Sequence, residues 1–282
     1  MNNILITGVS GNVGSAVLKY LEKHNTKVHI GVRSISKYKD VKESTIVREL
    51  DFENPNTYKS ALEDMDKIFI VRPPQITDVE GVFSPFVEAC KQAGIKHIVF
   101  LSLIGIEKNT IPPHHKIEKV IVASTIPYTF IRPSFFMQNL IEPHGEDIKE
   151  MNQIIIPAAK AKTNFIDTDD IGEIIGRVLL SDEHMNKAYD ITGCEVVDYY
   201  QVATMMSEVL GRTIVYTKPS LLKFYLHMTK KHSKAKVFVM IFLYISTRLG
   251  MAKKYSKEAE LLLGRKPNTM REFIENNKNI WM

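Results

Sequence analysis

The first fourteen residues constrain the chain most. Ile4-Leu5-Ile6-Thr7 is an apolar run without charge. Gly8, Gly11 and Gly14 follow at three-residue spacing, and Val13, Val17, Leu18 and Leu21 then recur at threes and fours. The run suits a buried strand, and the later spacing suits one face of a helix. Three glycines between them have separate tasks. Gly8 lets the backbone reverse off the strand, Gly11 leaves room for a pyrophosphate to reach the main chain, and Gly14 lets the helix pack against the strand. A helix held this way points unpaired amides and the positive end of its dipole at an anion. The turn predicts a nucleotide site.

Strand and helix patterns alternate through the first half. Strands are expected at 27–33, 45–50, 67–71, 95–101 and 128–131, and helices at 55–65, 78–93 and 113–124. Such alternation argues for an α/β fold with a doubly wound parallel sheet. After Arg132 the regularity breaks. Further strands are expected at 153–156, 188–191 and around 213–217, and a helix at 170–180 with Asp167, Thr168 and Asp169 as cap candidates. The remainder reads as helical. The expected division is a nucleotide-binding core over residues 1–133, extended by segments within 150–192, and a smaller, mainly helical lobe over 134–282 that packs on it as a substrate lobe or lid.

Two cysteines, Cys90 and Cys194, are too few for a disulfide framework and read as buried thiols in a reducing, cytoplasmic setting. The start carries no basic, cleavable leader pattern. The longest apolar run, 237–246, is too short to span a bilayer and reads as a buried helix. The net charge of +5 hides an asymmetry: residues 209–257 hold eleven Lys and Arg and no Asp or Glu, which leaves 5 − 11 = −6 for the rest. That stretch is a solvated basic face, or it attracts an anionic substrate or an acidic partner. No nucleic-acid-binding motif accompanies it. His227 and His232 within it read as surface residues.

The second strand bears on the choice of nucleotide. A dinucleotide fold that binds the adenosine ribose through its hydroxyls places an acid about 20 residues past the glycines. Here no Asp or Glu occurs between Lys23 and Lys39, and Arg33 stands at the strand end with Ser34 and Lys37 close behind. A guanidinium grips a 2′-phosphate with parallel charged bonds. These residues therefore predict NADP(H) over NAD(H). Asp51 and Phe52 follow the third strand, where they can meet an adenine, and Asp51 can equally cap the next helix. Arg72 ends the fourth strand and can face a diphosphate or a surface carboxylate.

The run Thr7-Gly8-Val9-Ser10-Gly11-Asn12-Val13-Gly14 resembles the TGxxGxxG signature of short-chain dehydrogenases. Segments 71–74, 100–105 and 126–140, with Tyr189-Asp190-Ile191-Thr192-Gly193 and Leu263-Gly264-Arg265-Lys266-Pro267, narrow the resemblance to the NmrA-like branch of atypical short-chain dehydrogenases. The resemblance implies a Rossmann fold. It places Gly8, Ser10, Gly11, Asn12 and Val13 at the diphosphate and Arg33 at the adenosine phosphate. It sets Asp51 and Phe52 beside the adenine, Ser102 near the nicotinamide, and Pro133, Ser134 and Phe135 behind the nicotinamide ring. It also implies several activities: NADPH-dependent reduction of quinones, azo or triphenylmethane dyes, or a dinucleotide sensor without turnover that reports to a protein partner. Similar proteins are also catalogued as nucleoside-diphosphate-sugar epimerases.

Typical short-chain dehydrogenases carry a Tyr four residues before a Lys, the lysine lowering the tyrosine pKa for proton transfer. Aligning on Glu118 puts Thr110 and His114 at those positions, with Lys116 off-register. Alcohol–ketone interconversion and sugar epimerisation both need that pair. A quinone, azo or dye acceptor can take hydride directly, with water or His114 as the proton source, since histidine ordinarily titrates near neutrality. His114 and His115 equally suit a polar helix start, and adjacent histidines do not converge on a metal. Acceptor contacts are expected from Phe135, Phe136 and Met137 and from helices bearing Phe224, Tyr225, Phe238, Phe242 and Tyr244, whose spacing also suits core packing.

Overall fold

Apolar runs buried on both faces become the strands of one parallel sheet. In chain order the first ten strands, three of which (β7, β8 and β9) lie outside that sheet, are β1 (Ile4–Thr7), β2 (Val28–Val32), β3 (Thr45–Glu49), β4 (Lys67–Ile70), β5 (His97–Leu101), β6 (Tyr128–Pro133), β7 (Phe135–Phe136), β8 (Gln153–Ile154), β9 (Thr163–Ile166) and β10 (Lys187–Ile191). The computed structural model describes residues 3–24, 26–38 and 41–282. The large sheet has the order β10-β6-β5-β4-β1-β2-β3, with every neighbour parallel. The order reverses beside β1, so the carboxyl ends of β1 and β4 flank the crevice where ligands bind in such sheets. This is a Rossmann-type α/β fold, as the alternation implied.

Two compact units form. The first comprises Met1–Pro133, Thr168–Ile191 and Leu261–Gly264, and the second Ser134–Asp167, Thr192–Glu260 and Arg265–Met282. In the first, helices α1 (Asn12–Lys23), α2 (Tyr58–Leu62), α3 (Ser84–Gln92) and α4 (Pro113–Ala123) lie between strands. Two of them are shorter than the pattern predicts. The 55–65 pattern yields only a turn at Pro55–Thr57 and α2, and the 78–93 pattern begins with a wide turn at Val79–Phe83. Strand β6 runs on through Pro133, two residues past the expected 128–131.

After α5 (Gly145–Met151) in the second unit, α6 (Thr168–Leu180) returns to the first and packs on α1. Small residues permit that approach: a Cβ on Gly172 would lie 2.5 Å from Ala16 Cβ, and one on Gly176 would lie 2.1 Å from the Tyr20 ring. Lys67 is buried at the start of β4, and its Nζ reaches Asp182 Oδ1 at 2.6 Å and Ser181 O at 3.1 Å. Burial of that ammonium is tolerable because charge and hydrogen bonds compensate it.

The second unit holds two small sheets and the helices α7 (Tyr199–Leu210), α8 (Leu221–Met228) and α9 (Lys234–Arg248). Strand β9, absent from the sequence reading, pairs with both β7 and a strand at Val196–Val197. Asn164 on β9 locks this sheet. Its Oδ1 accepts from Gly193 N at 2.7 Å, and its Nδ2 donates to Gly193 O and Glu195 O at 3.0 and 3.1 Å. Cys90 is buried, and Cys194 is half-buried with its Sγ donating to Pro267 O at 3.3 Å.

Two expectations for this unit fail. His227 is not a free surface residue: its Nε2 lies 2.9 Å from both carboxylate oxygens of Asp147, which is buried and also takes Lys231 Nζ at 2.7 Å. The ring nitrogen Nε2 of His232 is buried as well. A buried carboxylate draws in compensating cations. The run 237–246 is not a buried helix either. Val237, Met240 and Tyr244 face the core, whereas Phe238, Val239 and Phe242 are exposed.

Gly172→Ala should lower stability by about 1–3 kcal/mol, the usual cost of overpacking a closed contact. A urea titration monitored by circular dichroism measures it; an unchanged midpoint would mean that α6 does not pack this closely on α1.

Candidate functional site

Two glycines of the β1–α1 turn are demanded by the fold, and one is not. Gly8 has φ +71°, and a Cβ there would lie 2.7 Å from Val71 Cβ. A Cβ on Gly14 would lie 2.2 Å from the Gly8 carbonyl oxygen. Gly11, by contrast, has φ −105° and ψ 170°, open to any residue, and its Cβ would meet only Gly8 O at 3.5 Å. Packing therefore gives no reason for a glycine at position 11, and close approach from outside does. Gly11 N donates to Gly8 O at 3.0 Å and closes the turn. Helix α1 then starts at Asn12 with no capping side chain and no acid in its first turn, which leaves its amino end to an anion.

The turn opens into a cavity of about 370 Å³ walled by residues 7–11, 31–34, 37–38, 50–53 and 71–76. These are the carboxyl ends of β1, β2, β3 and β4. The cavity gathers Gly8, Ser10, Gly11, Arg33, Ser34, Lys37, Asp51, Phe52 and Arg72 from the sequence-predicted set. Tyr38 and Gln75, which no pattern singled out, also line it.

Individual side chains divide by what already holds them. Arg33 is exposed and makes no ion pair with any described residue. Arg72 is half-buried, and its Nη1 donates to Pro73 O, Pro74 O and Ile76 O at 3.0, 3.0 and 2.8 Å. It thus shapes the 73–76 loop that walls the cavity, and burial lowers its pKa. Asp51 Oδ1 accepts from Glu53 N at 3.0 Å, and Asn54, not Asp51, caps the following turn. Phe52 is buried, and its ring packs on Phe83 and edge-on to Phe86 with centroids at 5.4 and 4.8 Å. Little of that ring remains for stacking on an adenine, because the core has taken it.

Seven predicted residues are not among those lining the cavity. Asn12, Val13 and Gly14 form the first turn of α1. Ser102 follows β5 and is buried, with its Oγ donating to Glu118 Oε1 at 2.5 Å. Glu118 also accepts from Arg132 Nε and Nη2 at 3.0 and 2.6 Å. This Ser–Glu–Arg chain joins β5, α4 and β6. Ser102 and Glu118 had each been named through the resemblance, but separations of sixteen and fourteen residues carry no periodic signal that would link Ser102, Glu118 and Arg132 to one another. Pro133 ends β6 and accepts from Ile104 N at 3.3 Å. Ser134 and Phe135 belong to the second unit, where Ser134 Oγ donates to Asn164 Oδ1 at 3.0 Å and Phe135 lies on β7.

The reason for choosing His114 does not survive. It is the second residue of α4, with its ring 5.9 Å from that of Phe100 and its Nδ1 buried without a partner. Burial, helped by the charge of Arg72, lowers its pKa to about 3. The imidazole is neutral at pH 7 and holds no acidic proton there. Thr110 is exposed ahead of α4, and Lys116 is exposed on it.

Comparisons with known proteins agree with this geometry. The model of the NmrA-like family matches residues 1–274, so the chain belongs to that family. Prestalk A differentiation protein A of Dictyostelium discoideum is 30% identical over 97% of this chain and 91% of its own length. NAD(P)H azoreductase of Xenophilus azovorans is 29% identical over 76% of each chain. The crystal structure of triphenylmethane reductase of Citrobacter sp. complexed with NADP(H) superposes with a TM-score of 0.88 at 22% identity, covering 97% of this chain and 99% of that one. At that identity the likeness is one of fold.

The two glycines should separate on substitution. Gly11→Ala should leave the urea midpoint within about 0.5 kcal/mol of the parent, whereas Gly14→Ala should cost about 1–3 kcal/mol or more. The His114 resonances should stay those of a neutral ring from about pH 8 to 5 in an NMR titration, where an ordinary histidine protonates midway. A midpoint near 6.5 would restore its candidacy as a proton source.

Proposed function

We propose that this member of the NmrA-like family is an NADPH-dependent oxidoreductase that passes hydride to a quinone-like, azo or dye acceptor. The observation that carries the reading is the cavity at the carboxyl ends of β1 to β4. There Gly11 leaves backbone open beside the uncapped end of α1, and Arg33 has no ion-pair partner among the described residues. A dinucleotide fits those features. The amides of α1 and the turn from Gly8 to Val13 hold its diphosphate, Asp51 Oδ2 is left to accept from the adenine, and Arg33, Ser34 and Lys37 hold the 2′-phosphate. That last group is absent from NAD(H), which gives the preference for NADP(H). Bound there, NADPH supplies a hydride.

The protein's further task in this reading is to orient the acceptor and not to protonate it, because His114 is neutral and no tyrosine–lysine pair stands at Thr110 and His114. Solvent supplies the proton that balances the hydride. That suffices for an acceptor whose reduced form delocalises charge, and it does not suffice for epimerising a sugar alcohol. Residues 134–282 serve as the substrate lobe in this reading. The NADP(H) named for the Citrobacter structure and the NAD(P)H named for the azoreductase support it.

A second reading is a dinucleotide sensor that acts through a protein partner. It is favoured by the Dictyostelium relative, named for differentiation and not for a reaction. NADPH oxidation against a panel of quinones and azo dyes, with binding titrated on the same sample, separates the two. Turnover establishes the reductase, and tight binding without turnover on any acceptor establishes the sensor. In either case Arg33→Ala should weaken NADPH about tenfold to a hundredfold, the loss of a charge-assisted bond of roughly 1.5–3 kcal/mol. NADH should change little. Equal losses for both would sink the assignment of Arg33 to the 2′-phosphate.

A further inference from the structure

The acid-free stretch 209–257 places a charged border around an exposed apolar face. On α9, Lys234, Phe238 and Phe242 recur at intervals of four, and Val239 and Leu243 run beside them, all exposed. On α8, Leu222 and Leu226 stand four apart and are exposed too. The ring of Tyr225 meets that of Phe238 with centroids 5.6 Å apart and joins the two faces. Leu249 and Met251, just past α9, continue the exposure. Leu222, Leu226, Phe238, Val239 and Phe242 are each more than half exposed, and a contiguous patch of this kind marks an interaction surface.

The lysines around it are of two kinds. Lys231 and Lys236 pair with Asp147, Glu146 and Glu142. Lys223, Lys230, Lys234 and Lys253 are exposed and make no ion pair with any described residue. Lys234 and Lys236 also occupy the first turn of α9, where the dipole disfavours cations; that turn holds no acid, and Glu142 answers only Lys236. Helix stability therefore does not account for the placement of Lys234.

Charge decides what suits this face. A second copy docking through the same patch would set the unpaired lysines against one another, because a two-fold contact brings the patch onto itself and the bordering Glu146 and Glu142 are already taken by Lys231 and Lys236. An anionic bilayer surface answers both halves. Phenylalanine and leucine enter the boundary between headgroups and acyl chains, while lysine stems reach the phosphates. Among the described residues no single helix is long and apolar enough to cross a membrane, and the contact argued for is with the bilayer surface.

We propose that the α8–α9 face of this protein docks on anionic phospholipid bilayers, with Phe238, Phe242, Leu222 and Leu226 inserted and Lys223, Lys230 and Lys234 over the headgroups. The proposal does not depend on the reductase reading. Co-sedimentation of the purified full chain tests it, with vesicles of phosphatidylcholine alone and of equimolar phosphatidylcholine and phosphatidylserine. The chain should sediment with the second and remain in solution with the first, and added salt should release it in part. Leu226→Glu with Val239→Glu should reduce binding by about tenfold or more, as should Lys230→Glu with Lys234→Glu. Both variants should keep the parent's circular dichroism spectrum and dinucleotide affinity. Failure to bind the anionic vesicles overturns the proposal, as does equal binding to both kinds. A concentration-dependent dimer in sedimentation velocity that Leu226→Glu with Val239→Glu abolishes also overturns it, in favour of a second copy.

Discussion

The approach of α1 to the end of β1 governs the first unit. A Cβ on Gly14 would sit within bonding range of the Gly8 carbonyl, so helix and turn meet backbone to backbone. On its other side α1 is held by α6 through Gly172 and Gly176. Thr7 ties the same strand end sideways, donating from Oγ1 to Phe69 O at 3.0 Å and accepting from Val71 N at 2.9 Å. The amino end of α1 is therefore aimed by contacts that have no slack. One misplaced methyl costs about 1–3 kcal/mol, against a total stability of roughly 5–15 kcal/mol for a domain. A cavity wall made of backbone under such constraint is pre-organised for a ligand, and ordering it costs little on binding.

Two arginines at one cavity show how prior commitments divide roles. The Nη1 of Arg72 is spent on three carbonyls of a loop that needs a donor to close, and burial works against its charge. Arg33 is exposed without an ion pair among the described residues, so pairing it with an anion breaks nothing. The sequence ranks these residues similarly, since both end a strand on the same side of the sheet. What separates them is the proline-bound loop after Arg72. Its carbonyls lack sheet partners, and buried backbone groups must be satisfied.

How far the sequence could be read follows from length and burial. Strands β1, β2 and β4 are buried along their whole length and stand out by their apolar residues, although β2 carries His29 and β4 begins with Lys67. Their parallel arrangement was legible because helices separate them. The two-residue strand β7 is too short to show any period, β8 falls within the strand expected at 153–156, and β9 hides a polar Asn164 whose bonds run to Gly193 and Glu195, far along the chain. Apolar character alone misled at 237–246. With large apolar residues on both sides of α9, composition does not say which side meets the core. Phe52 shows a related limit: next to Asp51 it looks like an adenine neighbour and it lines the cavity, but the packing of Phe83 and Phe86 decides where its ring goes.

The protonation state of His114 was beyond sequence because it is a property of surroundings. Burial on α4 and the positive charge of Arg72, forty-two residues earlier, together hold the ring neutral. Other buried histidines behave alike: His97 is lowered to about 4 by burial and the charge of Lys67, and its Nε2 meets Thr129 Oγ1 at 2.8 Å. A depressed histidine pKa carries a definite sign. As pH falls below about 6.5 the unfolded chain takes up protons that the folded one refuses, and stability drains away until the folded pKa is reached. Under the proposed reductase reading the same refusal bears on the chemistry: a neutral His114 offers no imidazolium, and an acceptor that spreads charge over a conjugated system tolerates a proton arriving from water.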